Sequence, residues 1–247
     1  MKLGSVGIIG YGAFGSFVHT LLKRFAPDVS VRVYSRSHPV DGEIFFSLEE
    51  ACACDAVVLA VSIRAFEEVL KDALPFIPKE SVVVDVSTVK VYTTGILKRD
   101  APDRRFVATH PMFGPESYAK TEGSIEGYRI VITEHTLPPE EYAALLAALS
   151  GLGFELVETS SEMHDRQLAE TLFLTHFIGQ VITRAGFERT QIDTVSFSFL
   201  MKSVEIVRKN TELFKDVFRF NPYCESVLKR LEAAEQEIHQ LLSSEES

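Results

Sequence analysis

The chain opens with the stretch Val6-Gly7-Ile8-Ile9-Gly10-Tyr11-Gly12-Ala13-Phe14-Gly15. A short apolar strand leads directly into G-x-G-x-x-G, and residues 16–25 then alternate apolar and polar positions at helical spacing. Strand, glycines and helix in this order are the fingerprint of a dinucleotide-binding βαβ unit, in which the pyrophosphate lies against the helix N-terminus. The pattern predicts a cofactor site containing Gly10, Tyr11, Gly12, Ala13, Phe14 and Gly15.

The second predicted strand, residues 29–34, is followed by Ser35-Arg36-Ser37. An acidic residue at this point accepts the ribose 2′-hydroxyl of NAD, whereas an arginine nearby can receive the 2′-phosphate of NADP. Here there is no acid, and an arginine with two hydroxyls can hold a phosphate through charge-assisted hydrogen bonds. We therefore predict NADP as the favoured cofactor and NAD as possible, with Ser35, Arg36, Ser37 and also Ser62 in the site. The alternative is that Arg36 is a solvated loop residue and the phosphate is not recognised.

Strand and helix patterns alternate from the N-terminus to about residue 158. Helices are predicted at residues 65–74 and 139–149. Continuous apolar strands are typical of a parallel sheet covered on both faces. Residues 1–158 are therefore predicted to form an α/β dinucleotide-binding domain with a Rossmann-type, doubly wound, mostly parallel sheet. The predicted strands are residues 6–9, 29–34, 56–61, 81–86, 105–109, 128–133 and 154–157.

Only helical patterns follow residue 158. Ser160 or Ser161 can cap a first long helix, and further helices are predicted at 195–208 and 226–242. A helical domain of this size has a thin core, which favours packing against a second copy. Residues 159–247 are therefore predicted to be an all-α substrate and dimerisation domain, and the protein a homodimer. Residues 243–247 are predicted to be disordered.

Composition excludes several classes of protein. With 46% apolar and 24% charged residues the composition is typical of a soluble globular protein, and no apolar run reaches the ~20 residues of a membrane span. The first strand begins within six residues of Met1, which leaves no expected room for a signal or transit peptide. A net charge of −10 argues against nucleic acid or an anionic membrane as partner.

Three cysteines favour a reducing cytoplasm as the location. Cys52 and Cys54 have the spacing of half a metal site, but no second half with Cys/His spacing is present. We expect them to pack as small apolar residues, and we predict no metal.

The apolar residues 106–108 lead into His110-Pro111, which predicts the end of a strand because proline cannot donate to a sheet ladder. In open α/β sheets, ligands lie just outside the carboxyl ends of the strands. An imidazole titrates near neutral pH and is suited to take a proton from a hydroxyl that is being oxidised. Gly114 and Pro115 then turn the chain, which can return Glu116 over the same crevice. The alternative is a buried structural histidine beside a turn.

Together these residues resemble the prephenate/arogenate dehydrogenase family, which makes precursors of tyrosine, over nearly the whole chain. The details of the glycine fingerprint and of His110-Pro111-Met112-Phe113-Gly114-Pro115-Glu116 are most similar to the plant-like arogenate dehydrogenase branch. The matching segments are 7–15, 35–37, 84–90, 109–117, 164–165, 175–176, 192–194 and 210–221.

The resemblance implies oxidative decarboxylation of arogenate or prephenate, a small-molecule substrate, with hydride transfer to NADP+. It makes His110 the base that accepts the proton of the ring hydroxyl, and Thr88, where the family usually has serine, a hydroxyl that bonds substrate and histidine. Glu116 matches a glutamate that controls access to the site. His176 matches a histidine that contacts substrate, and helical spacing places it on one face with Phe173. A structural role for a buried His176 stays open.

One position departs from the family. Bacterial prephenate-specific members carry an arginine on a later helix that holds the ring carboxylate, and counting places Glu205 there with Arg208 one turn away. Either Arg208 takes that role or the carboxylate is held otherwise. The acidic Glu205 favours arogenate, whose tail carries an ammonium.

Two other functions are compatible with the fingerprint. One is a reductase of similar architecture, of the pyrroline-carboxylate reductase or β-hydroxyacid dehydrogenase type, which shares the N-terminal pattern but lacks the segment from His110 to Glu116. The other is a non-catalytic NADP-binding sensor. The presence of His110, Thr88 and His176 together favours an enzyme.

Overall fold

The structure is a computed structural model, and it describes residues 3–244. The chain divides into two compact units, residues 1–161 and 162–247. The sequence-based boundary after residue 158, and the roles assigned to the two parts, stay predictions. In the first unit the strands are β1 Ser5–Ile9, β2 Ser30–Tyr34, β3 Ala56–Leu59, β4 Val82–Asp85, β5 Arg105–Pro111, β6 Arg129–His135 and β7 Glu155–Glu158. Its helices are α1 Ala13–Phe25, α2 Leu48–Cys52, α3 Phe66–Ala73, α4 Lys90–Asp100, α5 Pro115–Lys120 and α6 Pro139–Gly151.

One sheet carries all seven of these strands, in the order β2-β1-β3-β4-β5-β6-β7. Strands β1 to β5 run parallel, β6 is antiparallel to β5, and β7 is parallel to β6. Along β3, Val57 and Leu59 pack in the cluster that includes residues of α2, α3 and α4, while Val58 packs in the cluster that receives α1. Both faces of the sheet are therefore covered, which confirms the predicted doubly wound, mostly parallel α/β fold.

The direction of winding reverses between β1 and β3, because the chain passes from β1 to one edge of the sheet and then returns to β1's other side. In open α/β sheets this switch point leaves a crevice outside the carboxyl ends of the two strands. A side chain at Gly7 is excluded in the same region, since its Cβ would lie 1.7 Å from the carbonyl oxygen of Ala51 in α2. Helix α2 therefore lies close against β1.

The end of β5 differs from the prediction. The strand was expected to stop at residue 109, but His110 and Pro111 belong to it and pair with Val131 and Ile130 of β6. Proline cannot donate an N–H to the ladder, and as the last residue of β5 it costs the strand only that one bond. His110 is consequently fixed within the sheet ladder rather than in the loop beyond it.

The second unit is entirely helical within the described residues, as predicted for this region. Its helices are α7 Ser161–Leu168, α8 Leu174–Ala185, α9 Val195–Val207, α10 Thr211–Phe220 and α11 Cys224–Ser244, and a π-helical segment, Ala169–Phe173, joins α7 to α8. Phe173 is buried at the centre, with its ring 5.6 Å from those of Phe214 and Phe218.

The expected disorder of the tail is wrong for Ser243 and Ser244, which form the end of α11. The hydroxyl of Ser243 donates to the carbonyl of His239, one turn earlier. Residues 245–247, the rest of that predicted segment, lie outside the described residues. Among helices in residues 3–244, none combines the length and the apolar character needed to cross a bilayer.

Candidate active site

A cleft of about 480 Å³ lies at the carboxyl ends of β1 and β3. The end of β2 also borders it through Tyr34, so the cleft occupies the switch point of the sheet. Of the ten residues predicted for the cofactor, the cleft wall contains Gly10, Tyr11, Gly12, Ser35, Arg36, Ser37 and Ser62. The other three, Ala13, Phe14 and Gly15, form the first turn of α1.

The fingerprint glycines are required by close backbone contacts. Gly10 has φ +104°, and a Cβ there would lie 2.5 Å from the carbonyl oxygen of Ala60. A Cβ on Gly15 would lie 2.1 Å from the carbonyl oxygen of Gly10, so α1 packs directly on the turn. At Gly12 the same Cβ would meet no atom within 4 Å. The backbone is therefore open at the one glycine over which a pyrophosphate must approach.

The start of α1 also fits an anionic ligand. Its N-cap is Gly12, which offers no side chain to the first N–H groups, and the first turn contains no acidic residue. Helix N-termini carry a partial positive charge and unpaired N–H donors. The N-terminus of α1 is therefore suited to bind the pyrophosphate of a dinucleotide.

Arg36 lies at the rim of the cleft and is weakly held. Its Nη1 atom is 3.9 Å from Oε1 of Glu68, and both side chains are 71% exposed. Exposed ion pairs of this kind contribute roughly 0–1 kcal/mol, so the guanidinium can turn toward a phosphate at small cost.

Thr88 and His110 lie at the carboxyl ends of two neighbouring parallel strands, Thr88 just after β4 and His110 within β5. β4 ends at Asp85, three residues before Thr88, and its partner β5 carries His110 near its carboxyl end. His110 is 6% exposed and Thr88 is half-buried. The carboxyl ends of parallel strands meet at one edge of a sheet, which places both residues at the edge that also holds the cofactor cleft.

A buried ionic network that was not predicted lies beside them. Lys90 and Asp85 are fully buried, and the ammonium donates to Asp85 Oδ2 and to the carbonyl oxygen of Thr109, both at 2.6 Å. Asp85 Oδ2 also accepts from Thr93 Oγ1 at 2.6 Å, and Asp85 Oδ1 accepts from the Ser87 N–H at 2.8 Å. The network therefore ties the residue before His110 to the end of β4 and the start of α4. The sequence feature that indicated this network is Asp85, a charged residue within the apolar run 82–86.

Glu116 lies in the first turn of α5, which follows the end of β5 after a short turn. Its side chain is exposed, and Pro115 precedes it at the helix start. That Glu116 returns over the crevice at the strand ends stays a prediction.

His176 lies in α8 and is 6% exposed. Its ring stacks on Phe214 with 6.3 Å between centroids, and its Nδ1 atom has no hydrogen-bond partner within residues 3–244. Burial lowers the pKa of this imidazole below its usual value, which favours the neutral form. A buried, neutral and unpaired ring nitrogen is suited to a polar ligand, because leaving it unsatisfied carries a cost.

Arg208 is exposed at the C-cap of α9, where its carbonyl oxygen accepts from Gln180 Nε2 of α8 at 3.2 Å. Glu205, one turn earlier, pairs with Arg189 at 3.0 Å. Part of the charge of Glu205 is thus compensated within the same unit. His176 and Arg208 belong to the second unit, and the other predicted residues belong to the first.

The cysteines are buried and unpaired with one another. Desolvation raises the pKa of Cys52 and of Cys224 to about 12, so both stay protonated at neutral pH. Within residues 3–244, no three His, Cys, Asp or Glu side chains are grouped so as to hold a metal ion.

Comparison with known proteins shows what the chain is similar to. Residues 37–153 match the model of the prephenate dehydrogenase nucleotide-binding domain, and residues 181–247 match that of the TYRAAT1-like C-terminal domain. The chain is 29% identical to arogenate dehydrogenase 2, chloroplastic, of Arabidopsis thaliana over 243 residues, and 30% identical to arogenate dehydrogenase 1, chloroplastic, of the same plant over 248. These alignments cover 93% of the chain in both cases, and 67% and 38% of the relatives' own lengths.

A crystal structure of prephenate dehydrogenase from A. aeolicus, in complex with hydroxyphenyl propionate and NAD+, has the same fold. The TM-score is 0.78 at 20% identity, over 99% of this chain and 92% of that one. At this identity the likeness establishes the fold alone. Residues 37–153 match the nucleotide-binding domain of prephenate dehydrogenase, and the chain as a whole is similar to plant arogenate dehydrogenases.

Proposed function

We propose that this protein catalyses the oxidative decarboxylation of arogenate, with NADP+ as hydride acceptor. The observation that carries the proposal is the position of His110, which is buried and held in the sheet at the same edge as the dinucleotide cleft. A base fixed beside a dinucleotide site is the arrangement that oxidation of a hydroxyl requires.

In the proposed reaction an imidazole nitrogen of His110 takes the proton of the ring hydroxyl. NADP+ bound in the cleft would accept the hydride that leaves the ring carbon bearing this hydroxyl. Aromatisation of the ring favours breakage of the bond to the carboxylate, which leaves as CO2. The Thr88 hydroxyl orients substrate and imidazole, and the neutral His176 offers its unpaired Nδ1 to the substrate. The chain thus contributes orientation and one base, which are large parts of catalysis when the cofactor carries the chemistry.

We choose arogenate as the substrate because of the plant-like motifs and the similarity to the two plant relatives described above. Glu116 is assigned to control of access, and Arg208 to the ring carboxylate, because its side chain is exposed rather than buried in the helical unit. NADP+ is preferred because Arg36, Ser35 and Ser37 line the cleft and no acid follows β2 directly.

Steady-state kinetics with both substrates and both cofactors test this function. We expect the highest kcat/KM for arogenate with NADP+, because the cleft presents hydroxyls and a guanidinium to the 2′-phosphate. A value for prephenate more than about tenfold above that for arogenate would overturn the substrate assignment. Cofactor binding without turnover of either substrate would identify a sensor, and reduction of an imine or a keto acid instead would identify a reductase of similar architecture.

We also propose a homodimer, formed mainly by the helical unit and working in a reducing cytoplasm, as the unpaired thiols favour. Large apolar side chains are exposed along that unit: Val181, Phe187, Ile192, Val195, Phe199, Ile206, Ile238, Leu241 and Leu242. Exposed apolar area of this extent is typical of an interface between subunits. Static light scattering at micromolar concentration should report about twice the chain mass, and a particle of 27.6 kDa would contradict the proposal.

A further inference from the structure

A histidine that was not predicted as a site residue lies beside the proposed phosphate-binding residues. Nδ1 of His38 is 3.1 Å from Ser35 Oγ and 3.2 Å from Ser37 Oγ, and the two hydroxyl oxygens are 3.0 Å apart. The three atoms form a triangle, and each of them can donate a hydrogen bond in a suitable rotamer or tautomer. Ser35 and Ser37 line the cofactor cleft, so the triangle lies at its rim.

The imidazole is held by two aromatic rings. It stacks on Phe45 with 4.4 Å between centroids and 10° between planes. The Tyr11 ring is nearly perpendicular to both, with its centroid 5.4 Å from that of His38 and 5.0 Å from that of Phe45. Tyr11 belongs to the glycine turn, so the position of the imidazole is fixed relative to the part of the cleft that receives the pyrophosphate.

The loop that carries Phe45 is itself folded around one carboxylate. Oδ1 of Asp41 accepts from the N–H groups of Glu43, Ile44 and Phe45 at 2.8, 2.9 and 2.8 Å. These bonds hold the pKa of Asp41 below its usual value, so the carboxylate stays ionised at neutral pH. The loop also bonds to β2 by the Phe46 N–H and the Val33 carbonyl at 2.8 Å. The aromatic platform under His38 therefore has its own hydrogen-bonded support.

Acidic side chains reduce the local positive charge. Glu68 lies 3.9 Å from the Arg36 guanidinium, and Asp72 lines the same cleft. A 2′-phosphate brings close to two negative charges and several acceptor oxygens, which one partly neutralised arginine satisfies incompletely. Additional donors that converge on one point are what such a group requires.

We propose that His38 is a specificity-determining residue for the adenosine 2′-phosphate of NADP+, donating from Nδ1 together with the hydroxyls of Ser35 and Ser37. The inference rests on the proposed use of NADP+. NAD+ has a hydroxyl at this position, so loss of the Nδ1 donor affects NADP+ binding and leaves NAD+ binding nearly unchanged.

The test is direct titration of the protein with NADPH and with NADH in the absence of substrate, followed by cofactor fluorescence. His38→Phe keeps a ring for the stack on Phe45 and removes Nδ1. It should raise the Kd for NADPH by roughly tenfold, the effect of one hydrogen bond to a charged group, with the Kd for NADH within about twofold of wild type. His38→Asn, which places an amide near the position of Nδ1, should retain most of the NADPH affinity.

The double variant Ser35→Asp with Arg36→Ala separates this inference from the proposed function, because it replaces the phosphate-binding residues and should reverse the preference toward NADH. If the double variant loses the preference for NADPH and His38→Phe keeps it, the inference about His38 is overturned and the NADP+ assignment stands. If neither variant changes the ratio of the two Kd values, the 2′-phosphate is bound by other residues, and both the inference about His38 and the assignment of NADP+ to residues 35–37 are overturned. If His38→Phe weakens NADPH and NADH equally, the ring is only a structural support and the inference is also overturned.

Discussion

His110→Asn should lower kcat by ~10²–10⁴-fold, the usual loss when a positioned general base is removed. Asparagine keeps a polar group of similar size but cannot take up a proton at neutral pH. The backbone of residue 110 pairs with Val131 in the sheet, so the substitution has no loop to rearrange. Cofactor Kd should stay nearly unchanged, because the glycine turn and residues 35–37 form the cleft without His110.

The pH profile gives a second readout of the same prediction. In the wild type kcat/KM should rise with pH through the ionisation of a single group, since only a neutral imidazole accepts the proton, and this limb should vanish in His110→Asn. His135→Asn is the matched control, because His135 is an exposed histidine at the end of β6 in the same sheet. It should leave both kcat and the profile unchanged.

If His110→Asn keeps a near-normal kcat and the same rise of kcat/KM with pH, His110 has a structural role only. The base would then be sought at His176. Burial lowers the pKa of that imidazole, so its neutral form persists to lower pH and the rising limb would lie at lower pH than for an ordinary histidine.

The N-terminal half of the fold was predictable because its constraints are local. Gly10 and Gly15 are fixed by contacts with the turn and the neighbouring strand, and only glycine satisfies them. Apolar runs such as that of β3 are continuous because both faces of the sheet are covered. The glycine fingerprint and the parallel strands can therefore each be recognised from a few consecutive residues of sequence.

Contacts between distant segments were not predictable from the pattern. The continuation of β5 through His110 depends on the antiparallel partner β6, whose direction no spacing in the sequence reports. His38 is placed by Phe45 and Tyr11, which come from two other segments. In the helical unit, the π-helical segment Ala169–Phe173 alters the spacing of a helix that was expected to be continuous.

The buried pair of Lys90 and Asp85 is the clearest such case, because the third partner, the carbonyl of Thr109, comes from another strand. The sequence does indicate the two members of the pair, because Asp85 and Lys90 are charged residues next to apolar ones, but it does not indicate their third partner. Since Thr109 precedes His110, we expect this pair to help hold the candidate base at the end of the sheet and to stabilise the fold at the same point.

Lys90→Met should therefore lower the free energy of unfolding by ~3–5 kcal/mol, the cost of leaving one member of a buried ion pair without its partner. Urea unfolding followed by circular dichroism measures the loss. Lys98→Met on the same helix is the matched control, because Lys98 pairs with Glu134 at the surface and should change stability by at most ~1 kcal/mol.

The double variant Lys90→Met with Asp85→Asn identifies the cause of the loss. Removing the second charge eliminates the unpaired buried carboxylate, so the double variant should be more stable than Lys90→Met alone. Equal stabilities for Lys90→Met and Lys98→Met would show that the buried pair contributes no more than a surface pair.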